Sequence, residues 1–157
     1  MATYAVQFYD LDPWGVIPTS TGNSFTWSGP ATADGSAVIT DNEAGVEGLT
    51  LDDDSLGGVT ATADVTIGSD TSTGSTVDAA RVWTLRDTVT GEEFQVVEFD
   101  VEQWDASGDY TLSESALIPG RTYEVVDYDS NPDASAGDIA FSYSDHFLGD
   151  DLLIRTK

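Results

Sequence analysis

The sequence contains no cysteine, a single histidine and only five lysine or arginine side chains among its 157 residues. Without cysteine there is no disulfide framework, no thiol nucleophile and no thiolate-ligated zinc or iron–sulfur centre. The shortage of cations is equally restrictive. Set against 29 Asp and Glu it leaves a formal charge of −24, which repels phosphate backbones and anionic headgroups and disfavours nucleic acid and membrane surfaces as partners. No stretch approaches the ~18 consecutive apolar residues of a spanning helix. The first ten residues show neither the basic segment nor the apolar run of a secretory signal, so synthesis as a soluble product is expected.

What the chain does have is bulky core material. Hydrophobic residues make up 39% of it, with four Trp, six Tyr and six Phe, so the charge need not mean disorder. The length suits one domain spanning residues 1–157, burying roughly 68–70% of its unfolded surface. No window sustains apolar residues at helical spacing, whereas alternation of period two recurs. Strands are expected over 4–9, 24–27, 36–40, 59–67, 80–87, 94–102, 109–115, 121–128 and 139–143, with an edge segment at 152–155. In the fourth, Val59, Ala61, Ala63, Val65 and Ile67 form one face. The clearest hairpin joins 80–87 to 94–102, and Trp83 is expected in the core. Residues 68–77, rich in Ser, Thr and Gly, read as an exposed loop, as do 41–56. Roughly eight or nine short strands with Gly, Thr and Ser at the turns predict an all-β fold, an antiparallel β-sandwich of immunoglobulin-like or jelly-roll-like order.

Chemistry-bearing residues are few in kind. Asp127, Asp129, Asn131, Asp133 and Asp138 stand at positions 1, 3, 5, 7 and 12 of a twelve-residue loop, the alternation with which oxygen ligands converge on Ca2+. Pro132 occupies the sixth position, where an EF-hand requires glycine, and the alternative is an Asn-Pro turn whose Asp side chains cap their own backbone. Asp41, Asn42, Glu43, Glu47, Asp52, Asp53 and Asp54 form the densest acidic run, either solvated or bridged in part by a divalent ion. Arg81, Arg86 and Arg121 fall in or beside expected strands, where they would pair with local carboxylates. Trp14 and Trp104 sit beside Asp12-Pro13 and Asp105, near loops, where exposed rings could stack on sugars. His146 is a lone imidazole with no nucleophile motif around it. With 29 carboxylates, a glycosidase pair can always be drawn, which makes a hydrolase the third choice.

Three stretches carry a family resemblance: TDNEAGVEGLTLDDD (40–54), STVDAARVWTLRDTVTGEEF (75–94) and PGRTYEVVDYDSNPD (119–133). Together they resemble the β-rich amino-terminal region that precedes a Hint (Hedgehog/intein-type) domain in proteins of marine alphaproteobacteria, over about residues 36 to 145. Hint self-processing uses a Cys or Ser nucleophile in a separate domain. The resemblance therefore implies the leading β module and not self-cleavage. It suggests a free-standing, acidic surface module. The expected function is a non-enzymatic structural protein that decorates or cements a larger assembly, such as the head of a marine alphaproteobacterial phage. It would lie on the virion surface against the major capsid protein or other subunits. A homo-oligomer fits, a trimer suiting a site of local threefold symmetry. The alternative is an extracellular, calcium-dependent carbohydrate- or surface-binding module using Trp14 and Trp104.

Overall fold

A computed structural model of the chain describes residues 2–41, 50–51, 61–130, 132 and 138–143. Ten strands are assigned: β1 (Ala2–Phe8), β2 (Ser24–Thr26), β3 (Gly35–Asp41), β4 (Thr50–Leu51), β5 (Ala61–Ile67), β6 (Asp70–Asp87), β7 (Glu93–Val101), β8 (Gly108–Ser113), β9 (Thr122–Asp129) and β10 (Phe141–Ser142). The described residues contain no α-helix, and every strand pairing is antiparallel. The chain is thus the all-β sandwich its alternation predicts.

Strand β6 organises the rest. Its 18 residues pair along one edge with β7, while the other edge is divided, Asp70 to Val77 against β5 and Val82 to Asp87 against β9. An irregularity between Ala79 and Val82 marks the change of partner, where an extra residue bends and twists the strand. The order β9-β6-β7-β8 that results is a Greek key. From β6 the sheet also continues through β5 and β3 to β1, and β1 returns to β8. There Tyr9 and Thr111 exchange backbone hydrogen bonds, N–H to O distances being 2.8 and 3.1 Å, so the sheet folds over and meets itself. A short second sheet pairs β4 with β10.

Two apolar clusters fill the fold. The larger gathers Val6, Phe8, Ile39, Val65, Val82, Val97, Phe99 and Leu112 inside the curled sheet. The second packs Tyr9, Trp27, Trp83, Leu85, Val96, Tyr123 and Val125. Chain neighbours Val82 and Trp83, like Val96 and Val97, belong to different clusters, so the β6–β7 hairpin is covered on both faces. The two buried indoles keep their polar handle satisfied: Trp83 Nε1 donates to Pro18 O and Trp27 Nε1 to Pro30 O, each at 3.0 Å. At Gly35 the Phe8 ring fills the space a Cβ would take, which explains a glycine inside a strand.

The expectation of a loop over 68–77 is corrected. Only Gly68 and Ser69 turn, Gly68 with φ +59°, and β6 begins at Asp70. Hydroxyls replace aliphatic groups on the inward side. Buried Ser72 donates to Gln103 O at 2.7 Å and accepts from Ala106 N–H at 2.9 Å. Ser75 accepts from Gln103 N–H at 3.0 Å. These serines tie β6 to the β7–β8 turn, so a polar composition disguised a core strand. Strand 59–67 is observed from Ala61, with Ala61, Ala63 and Val65 buried as expected. Positions 42–49, 52–60 and 152–155 lie outside the described residues.

Outward side chains on this flank form rows. Thr3, Thr40, Thr62 and Thr76 are consecutive partners across four strands, as are Gln7, Ser36, Thr66 and Thr71. Replacing Ser72 by Ala leaves two partners unsatisfied and is expected to lower unfolding free energy by about 1–3 kcal/mol. Thr71→Ala, on the exposed side, should change it by under about 0.5 kcal/mol. Urea denaturation of the two variants measures both, and equal losses would contradict the inward role of Ser72.

Candidate functional site: an acidic row across three strands

Inward Val97, Phe99 and Val101 oblige the alternate residues of β7, Glu98 and Asp100, to face outward. Glu102 continues that side. Register then places Asp100 directly between Asp78 of β6 and Asp109 of β8, three aspartates in line across adjacent strands. Like charges in that relation repel. Asp78 is only 6% exposed, so water cannot fully screen the row.

Two groups of carboxylates adjoin here. Asp12, Glu98 and Asp109 bring oxygens within 4.8 Å of one another, and so do Asp78, Asp100 and Glu102. In the first, a cation is already provided. Arg81 Nε donates to Glu98 Oε1 at 2.8 Å and its Nη1 to the Tyr128 hydroxyl at 3.2 Å, while the Trp14 ring lies 3.7 Å over the guanidinium. Burial is the largest influence on Glu98; with the hydrogen-bonded Asp12 and the charge of Asp109 it pushes the carboxyl up to about 7 against the pull of Arg81. Burial likewise raises Asp100 to about 6, where a hydrogen bond from Asp78 works the other way and Asp109 and Glu102 add to the rise. The second group has oxygens at a spacing one divalent ion could bridge, and oxygen-only sets suit Ca2+ or Mg2+.

At the far end of the hairpin, charges are compensated locally. Arg86 pairs with Glu93 and Glu124, both at 2.9 Å, and Arg121 donates to Asp87 at 2.5 Å. Asp87 also accepts from Val89 and Thr90 N–H groups. Burial opposes its charge, but these bonds and Arg121 outweigh it and hold the carboxyl below its ordinary value. All three strand arginines thus pair with carboxylates, as their positions suggest.

The candidates of the sequence are scattered. Asp127 is exposed on β9 opposite Thr84, and Asp129 is half-buried two residues on, opposite Val82. Asp138 is half-buried; Asn131, Asp133 and His146 lie outside the described residues. Among the described residues Asp127, Asp129 and Asp138 do not bring their carboxylates together as the two groups above do. Trp14 and Trp104 are exposed, at 50% and 57%, and Trp83 is in the core as expected. Trp104 has φ +67°, a strained conformation for a non-glycine residue. Beside it opens a cleft of about 540 Å3 lined by Asp10, Asp34, Asp70, Asp105 and Tyr110.

Sequence reading missed the acidic row because its members are distant in the chain and only register aligns them. The one local signal was the alternation Glu98-Phe99-Asp100-Val101-Glu102. The chain matches no known protein family, no curated protein and no solved structure.

A carboxyl held above its ordinary value adds stability that is complete below that value and fades as pH rises through the raised one. For Glu98 the window runs from 4.5 to about 7. Glu98→Gln cannot titrate, so across this window its stability should improve relative to wild type by on the order of 2 kcal/mol. Chemical denaturation at both ends of the range tests this; parallel pH profiles would contradict it.

Proposed function

We propose that this chain is a non-enzymatic structural module that decorates or cements a larger assembly, such as the virion head of a marine alphaproteobacterial phage, facing solvent with its acidic side. The observation that carries this reading is the placement of Asp100, Glu102 and Asp109 on the outer side of a sheet whose first and eighth strands are joined. That combination gives a rigid shell presenting like charges, which favours hydration and keeps particles apart. The Hint-associated resemblance of residues 36 to 145 supports a surface module. Deleting the chain from such particles should leave them assembled but less resistant to heat or chelator, and added protein should restore the resistance. Particles of unchanged resistance would end this reading.

A second reading, a calcium-dependent carbohydrate- or surface-binding module, is favoured by the spacing of Asp78, Asp100 and Glu102 and by the exposed rings of Trp14 and Trp104. Calorimetric titration with CaCl2 separates the two. Saturable binding weakened at least tenfold by Asp100→Asn, with glycan-array signals lost in Trp14→Ala or Trp104→Ala, would favour the binding module over the structural one.

A further inference from the structure

We propose that the cleft beside Trp14, with the two exposed carboxylates next to it, is the docking site for residues 152–157 of the same molecule, Leu152-Leu153-Ile154-Arg155-Thr156-Lys157. The cleft, of about 400 Å3, opens in the segment after β1 and is lined by Trp14, Gly15, Val16, Ile17, Pro18 and Thr19. Trp14 is half exposed and Val16 36% exposed, so apolar surface stands open to water there, which favours an apolar occupant. Carboxylates border it. Asp12 Oδ1 accepts from the Trp14 N–H at 3.0 Å, and an Asp109 oxygen lies within 4.8 Å of an Asp12 oxygen. Arg81 is beside them, but its charge is engaged by buried Glu98. Among the described residues neither Asp12 nor Asp109 is paired with a cation.

Such a site calls for aliphatic side chains next to uncommitted cations, and the chain carries one sequence of that kind. Of its five cations, Arg81, Arg86 and Arg121 are paired with carboxylates of the sheet. The other two, Arg155 and Lys157, directly follow Leu152, Leu153 and Ile154. Complementary charge thus selects this segment, and its aliphatic residues match the lining of the cleft. The connection is long enough. Tyr143 stacks on Tyr4 of β1, with ring centroids 4.2 Å apart, and β1 leads to the cleft. From Tyr143 to Leu152 the chain can span about 30 Å at ~3.3 Å per residue, against about 13 Å from Tyr4 to the end of β1. A tether of that length holds the segment near its site at a millimolar effective concentration, whereas the charge of −24 opposes the approach of a second copy. The inference concerns the purified chain alone and does not rest on the decoration reading.

Lys157 is the only lysine of the chain, so carbodiimide coupling of its amine to a carboxylate, mapped by mass spectrometry of the full-length protein, tests the proposal. The expected product is an amide link from Lys157 to Asp12 or Asp109 within one molecule, with a yield that falls several-fold in about 1 M NaCl. Ile154→Asp should lower the yield at least about fivefold by removing an aliphatic anchor. Val16→Arg, at an exposed lining position, should lower it as much while circular dichroism stays that of the wild type. Val89→Arg, at the β6–β7 turn, should leave it unchanged. Links spread over carboxylates elsewhere on the surface, or a yield indifferent to both Ile154→Asp and Val16→Arg, overturn the proposal. Links found only between molecules overturn it as well and point to a contact with a second copy.

Discussion

The architecture depends on a division of labour along one strand. Because β6 lends the same edge first to β5 and then to β9, it belongs to two parts of the sheet at once. The bend between Ala79 and Val82 lets one run of chain be lined by small inward residues near Ser72 and by Trp83 and Leu85 further on. Two cores, rather than one, become possible because the hairpin between them is apolar on both faces. Covering both sides of a sheet calls for near-continuous hydrophobic runs, and the stretches Ala79-Ala80-Arg81-Val82-Trp83 and Phe94-Gln95-Val96-Val97 come close to that. The exceptions are long or amide side chains at the margins.

Electrostatics then sort the surface. The arginines do not neutralise the protein; three of them fix particular carboxylates at the hairpin and leave the Asp78, Asp100 and Asp109 row to manage its own repulsion. Arg81 is the most constrained, held between Glu98, Tyr128 and the Trp14 ring. It links the segment after β1 to β6, β7 and β9, so its loss would be felt through packing as well as charge. At Asp100, which no arginine pairs, the cost is met by a proton held above the ordinary carboxylate range, and Glu98 holds its own proton up despite the pull of Arg81.

Much of the fold was legible in period-two alternation. Val6 and Phe8, Ala61 to Val65, and the 80–102 hairpin all declare their inward faces by residue type. The 70–77 half of β6 did not, because Ser72 and Ser75 are inward yet polar, and only the carbonyl and amide groups of the β7–β8 turn, distant in sequence, make that favourable. The strand arginines and exposed indoles were readable from their neighbours. The acidic row was not, since hydrophobic pattern fixes which face a residue takes but not which residue on another strand stands opposite. Asp78, Asp100 and Asp109 become a unit only through register.

The junction of Tyr9 with Thr111 has a kinetic side. The hydroxyl of the same tyrosine accepts from the Leu117 amide, 108 residues further along the chain, so the seam of the sheet joins segments that a nascent polypeptide makes far apart. Loop-closure entropy must be spent before these contacts give anything back. The β5–β6–β7 hairpins and the β1–β3 pairing draw on nearby segments, while the junction of Tyr9 with Thr111 has to wait for β8, so seam closure is expected late in folding.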